Sequence, residues 1–227
     1  MATARRRPRD ARIPRFSVAE RLLHWLLAGA FFVLLGTGFL MSVPALSGEV
    51  ARPVAKEWHI DAAIALAVGV ALLMLVQGKV LTRTISQLER FDRDDLRWLG
   101  GTPRRVVSAT PAPPQGRFNA GQKLNTALVA GLMVISYITG ALLWLGERDT
   151  TYRFAGTITV HDGAMWALMV LVAGHIYMAM LNPSTSAALA GMLRGSVDRT
   201  WALRHHAKWV ADLDRAADVE AAADPKD

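Results

Sequence analysis

Two histidines, His161 and His175, stand fourteen residues apart in one long apolar stretch, VHDGAMWALMVLVAGHIYMAML. On an α-helix that spacing is about 21 Å of rise and about 40° short of four full turns. Both imidazoles therefore leave one helix face, one near each surface of a bilayer. Histidine is costly in hydrocarbon and is kept there for a metal, a proton path or a polar partner. The chemistry asks for a partner at each of two depths, and the candidates are His24 and His59.

The elements that must position these side chains are membrane helices. The chain has 227 residues, 52% of them hydrophobic, with a net charge of +7 and seven Trp. Apolar runs this long do not belong to an ordinary soluble domain. There is no cysteine, which excludes disulfides, thiolate-bound iron–sulfur clusters and covalent c-type haem attachment. Any metal or cofactor must be held by His, carboxylate or Met.

Four segments are long enough to span, at about 21–43, 58–77, 122–145 and 159–181. The expected fold is an all-α, integral-membrane four-helix bundle over residues 21–182, after a basic segment at 1–20 and before a polar helical tail at 183–227. The first run is too long for a signal-peptide core and reads as a retained helix, stopped at Pro44. Pro183 closes the fourth. Residues 78–121 form a connecting loop, with a short amphipathic helix in TISQLERFDRDDLRWL and a Pro-rich strap after it. No internal repeat of useful period is expected, and the final residues, ADPKD, are expected to be disordered.

Of the 26 Lys and Arg, only Arg52, Lys56, Arg148 and Arg153 fall on one side of these spans. The basic N-terminus, the long loop and the tail fall on the other, which places both termini in the cytoplasm by the positive-inside rule. The same bias explains the basic N-terminus better than nucleic-acid binding does. Span order then sorts the histidines. His24 and His175 lie near the cytoplasmic surface, and His59 and His161 near the outer one.

Two His pairs at two depths in a Cys-free helical bundle fit two bis-histidine b-type haems, with axial nitrogens from facing helices. Gly36, Gly38, Gly163 and Gly174 could admit flat macrocycles, although membrane-helix glycines are more often close-packing positions. A single membrane histidine is as often bonded to a neighbouring helix, but four at matched depths argue against independent structural roles. Zinc or copper remains open by ligand type, with only Asp61 and Asp162 near the outer pair, and those aspartates also suit helix caps or headgroups. His205 and His206, in the polar tail, are expected to be solvated or to face headgroups. Trp201 and Trp209 are expected to touch the interface or a partner. A haem-free scaffold or transporter is the rival of another class.

The residues RLLHW, His59, RFNAGQK, His161, GHIYMAM and the tail GMLRGSVDR…WALRHHAKW resemble the b-type cytochrome (gamma) subunit of respiratory, membrane-bound formate dehydrogenase. The four-helix, four-histidine count alone also fits cytochrome b subunits of nickel–iron hydrogenases and thiosulfate reductases. The resemblance implies two haems b, with axial ligands at His24 and His175 (inner) and at His59 and His161 (outer). It implies a quinone site on the cytoplasmic side near His175, Asn119 and Gly121. The NAGQK stretch suits that site, since the Asn119 amide and Lys123 could meet a quinone carbonyl or a haem propionate. From the residues alone, Asn119 reads as a helix cap. The implied partners are an iron–sulfur (beta) subunit and a molybdenum- or tungsten-bearing catalytic (alpha) subunit in a bacterial inner membrane, with room for a higher oligomer of the complex.

Overall fold

The computed structural model describes residues 12–43, 45, 51–107 and 112–223, with the backbone alone at 51 and 102–107. The basic run at 1–11, the Pro44 stop, residues 46–50, part of the Pro-rich strap and the terminal 224–227 lie outside the described residues.

Four helices are long and apolar enough to cross a membrane. They are α1 (Val18–Ser42), α2 (Ala51–Glu89), α4 (Ala120–Gly146) and α5 (Thr157–Ile176), the last extended to Leu181 by a π-helical turn. In each apolar window only 6–11% of the residues are buried inside the chain, as expected where lipid, not protein, covers the apolar surface. Between α2 and α4 runs α3 (Arg93–Val107). The tail holds α6 (Leu189–Arg194), α7 (Arg199–His205) and α8 (Ala207–Ala223). A short ribbon pairs β1 (Arg12–Pro14) antiparallel with β2 (Ser196–Asp198), tying the start of the chain to its tail. The all-α reading did not anticipate this ribbon.

The helix starts follow from local chemistry. Ser17 and Glu20 form a capping box on α1, and Asn119 and Gln122 form the same box on α4. Each satisfies otherwise orphaned backbone N–H groups. The second span is longer than expected: helix continues past Gln77, whose φ of −123° and ψ of 17° mark a kink, to Glu89. The segment read as one short loop helix is therefore divided between the end of α2 and α3, broken at Arg90–Asp92.

The chain does contain an internal repeat. RFSVAERL at 15–22 aligns with RFNAGQKL at 117–124, Thr37-Gly38 with Thr139-Gly140, and His59 with His161, every pair 102 positions apart. The two units are the hairpins α1–α2 and α4–α5. Equivalent residues meet each other. Arg15 Nη2 donates to the Arg117 carbonyl (2.8 Å), and Arg117 Nε donates back to the Arg15 carbonyl (2.9 Å). The Phe16 and Phe118 rings lie 6.0 Å apart. Reciprocal contact of equivalent groups is the signature of a twofold relation. Interchange of Leu, Val, Ala and Ile along the helices hides it from inspection.

Between Val197 and Val210 the tail packs against the N-terminal strand, while α8 beyond Val210 is largely exposed. Ile13, Val197, Trp201, Ala202, Trp209 and Val210 form a buried cluster. The expectation for His206 is overturned, because its side chain is 1% exposed. Its Nδ1 donates to the Gly116 carbonyl (2.7 Å), so Nε2 is the acceptor facing Arg15 Nη2 (3.0 Å). His205 stacks on Trp201 at 4.9 Å. Trp201 and Trp209 are buried and face the Arg15 guanidinium.

Burial, then the Arg15 charge, pull the His206 pKa from 6.5 to about 3. Between those values the docked tail keeps His206 neutral, while a released tail takes up a proton. Docking is therefore intact above pH 6.5 and weakens as the pH falls below it, by up to about 1.4 kcal/mol per pH unit. Protection factors across 196–210, corrected for the intrinsic pH dependence of amide exchange, should be lower at pH 5.5 than at pH 7.5. Equal protection at both would contradict the buried, neutral imidazole.

Candidate metal centres

The bundle brings the four membrane histidines together as two pairs. His24 on α1 and His175 on α5 have ring centres 6.1 Å apart, their planes inclined at 64°. His59 on α2 and His161 on α5 are also 6.1 Å apart, inclined at 70°. This distance is too long for ring stacking. An ion ligated by both imidazoles would sit about 2 Å from each nitrogen, with each ring centre about 1.1 Å further out, or about 6.2 Å between centres. Both pairs match that span.

The two pairs differ in symmetry. His59 and His161 are equivalents in the two repeats and face each other across them. His24 corresponds to Thr126, and His175 to Leu73, so the second pair is not repeated and occurs once. A π-helical turn begins two residues after His175, at Tyr177, a distortion common at functional sites.

A cavity of about 1060 Å³ adjoins His59 and His161, lined also by Tyr137, Met165, Arg52, Lys56 and Arg153. Lys56 is paired with Glu147 at 2.5 Å across its mouth. The cations suit an anionic group, and the apolar walls suit a flat hydrophobic one. A Cβ on Gly38 would stand 3.5 Å from His59 Cε1, and one on Gly140 would stand 3.2 Å from His161 Cε1. These two glycines give room to the imidazoles. Gly36, Gly163 and Gly174 face open space.

Among the described residues, no three His, Asp or Glu side chains converge as a metal site. Asp61 and Asp162 do not cap helices: Asp61 lies well inside α2, and the cap of α5 is Gly156. Asp162 accepts a long hydrogen bond from Ser42 (3.4 Å). Zinc or copper with a full protein ligand set thus lacks donors here. Paired imidazoles with open equatorial space are the donor set of a haem iron.

Asn119, Gly121 and Lys123 are grouped at the start of α4. Asn119 accepts from the Gln122 amide (2.8 Å), serving as the cap. A Cβ on Gly121 would stand 3.1 Å from the Trp98 ring. Lys123 is 8% exposed and donates to Asp95 (2.6 Å) and to the Arg90 carbonyl (2.8 Å). Its ammonium is committed within the protein. Sequence reasoning missed Asp95, as well as Thr37 and Thr139, whose hydroxyls meet Nδ1 of His59 (2.9 Å) and of His161 (2.8 Å). The available signal was a Thr-Gly pair preceding each of these histidines, with Thr 22 residues away in both repeats.

The pattern that describes the prokaryotic cytochrome b561 family matches residues 15–195. The chain is 26% identical over 217 residues to the cytochrome b556(fdo) subunit of formate dehydrogenase from Escherichia coli strain K12, covering 92% of this chain and 97% of that one. It is 22% identical over 225 residues to the nitrate-inducible cytochrome b556(Fdn) subunit of the same organism, covering 90% and 93%. A formate dehydrogenase cytochrome b556 subunit of Haemophilus influenzae is 25% identical over 208 residues, covering 88% and 83%.

Proposed function

Since the chain belongs to the prokaryotic cytochrome b561 family, we propose that it is the membrane-anchoring, di-haem cytochrome b subunit of a formate dehydrogenase. In this reading it conducts electrons from formate oxidation, delivered by an iron–sulfur subunit, across the membrane to quinone on the cytoplasmic side. The observation that carries the haem assignment is the twin 6.1 Å spacing of His24–His175 and His59–His161. The donor assignment is supported by relatives whose names specify formate dehydrogenase and which align over nearly their whole length.

Haem, when bound, supplies reversible one-electron chemistry at iron. The protein's own residues do the rest. His24 and His175 would hold the inner haem iron, and His59 and His161 would hold the outer one. Arg52, Lys56 and Arg153, at the mouth of the outer cavity, would hold anionic propionates. The apolar helix faces keep water from the conducting path. The placement of termini, α3 and tail in the cytoplasm rests on the Lys and Arg bias. It puts Asn119 and Gly121 beside the quinone, where the Asn119 amide N–H groups remain free to donate while its oxygen caps α4. Lys123 acts there through its ion pair with Asp95, which fixes the start of α4 against α3. No formate chemistry resides on this chain. Its catalytic partner is expected to carry the molybdenum or tungsten.

The test is reduction of the isolated complex by formate. Formate should produce a b-type α-band that quinone then bleaches, and an iron–sulfur subunit should co-purify. Reduction by hydrogen and not by formate would assign the chain to a hydrogenase. Absence of any b-type band would overturn the haem reading and favour a haem-free scaffold.

A further inference from the structure

The structure assigns Thr37 and Thr139 as paired positioning residues that hold the outer imidazoles in one tautomer and set the outer haem's potential apart from the inner one. The inference rests on the di-haem reading above.

Each hydroxyl has its hydrogen already placed. Thr37 Oγ1 donates to the Val33 carbonyl (2.7 Å), and Thr139 Oγ1 donates to the Ile135 carbonyl (2.7 Å), with longer contacts of 3.2 Å to Leu34 and Ser136. What each oxygen can offer His59 and His161 is a lone pair, so Nδ1 of each ring must be the donor. The same ring edges face the Leu34 and Ser136 carbonyls. Nε2 is thereby left bare, the ligating form, on rings whose centres lie 6.1 Å apart. Gly38 and Gly140 clear the adjacent Cε1 atoms. The whole device occurs twice, at the same offset of 102, on the two sides of one site.

The inner pair lacks it. Among the described residues neither His24 nor His175 has a hydroxyl at its ring nitrogens. Donation from Nδ1–H makes an imidazole a stronger base toward its metal. Such a ligand favours ferric iron, so the threonines lower the outer potential relative to the inner. That ordering makes transfer from the outer to the inner level downhill.

The test is a spectroelectrochemical titration of the complete complex carrying Thr37→Val, Thr139→Val or both. Components are assigned from His161→Ala, which lacks the outer haem, and His175→Ala, which lacks the inner. The outer midpoint should rise in each Val variant, rise furthest in the double, and return in Thr37→Ser and Thr139→Ser, while the inner midpoint stays fixed. If Val weakens outer haem retention about 10–100-fold, as loss of a ligand's hydrogen-bond partner does, Ser should restore both retention and potential. An unmoved outer midpoint with haem retained, or failure of the Ser variants to restore it, overturns the assignment. A wild-type protein with no outer component at all would instead overturn the di-haem reading, not the role of the threonines alone.

Discussion

Replacing His175 by Ala should remove one haem of two and abolish electron delivery to quinone, while the outer haem stays bound and reducible by formate. His24 and His175 share a site that occurs once in the fold, 6.1 Å across, and no other imidazole among the described residues approaches it. His59 and His161 face each other on separate helices at the other depth, so their site does not depend on the inner one. The loss should be close to complete, because removing the conductor interrupts the path instead of slowing a step. The pyridine haemochrome content and the rate of quinone reduction would both be measured. A His175→Ala protein that kept two haems, or lost both, would contradict the pairing.

The second large effect is expected in stability. Asp95 and Lys123 have side chains 2% and 9% exposed, joined at 2.6 Å. Asp95 also accepts from the Asp92 amide (2.9 Å), closing the cap of α3. Asp95→Ala leaves a buried ammonium without its counter-charge, which costs about 3–5 kcal/mol. Combining Asp95→Leu with Lys123→Met removes both charges and should recover most of that loss, since a buried ion pair adds little net stability over apolar packing. Thermal unfolding in nanodiscs reads both variants. Haem content should be unchanged in the double variant if Lys123 acts only as a structural cation. A single-variant loss below about 1 kcal/mol would mean that water reaches the pair.

Much of this architecture is legible in the residues because the bilayer leaves few choices. A run of about 20 apolar residues must be a helix, and four such runs fix where each histidine stands in depth. The partners of His175 and His161 followed from helix order alone. What escaped has physical reasons too. The tail looked polar because charges of both signs are spread along it. Yet the buried cluster needs only Trp201, Trp209, Val197 and Val210, spaced across a strand and two helices that periodicity does not join. His206 is buried because Arg15, nearly two hundred residues earlier, supplies its partner. The apolar run ends at Gln77, where the kink falls, but helix resumes immediately, which the composition does not show. The repeat went unseen because lipid-facing positions accept any aliphatic side chain. The anchors Arg-Phe, Thr-Gly and His keep their identity, and these reveal themselves when Arg15 meets Arg117 and His59 meets His161.

Haem content together with the ferric electron paramagnetic resonance spectrum of the purified complex tests the central claim most directly. Two b-type haems for each copy of this chain are expected, both low-spin with two imidazole ligands, and each removed separately by His175→Ala and by His161→Ala. A single haem, or a ferric signal showing a methionine or an open axial position at either iron, would contradict it.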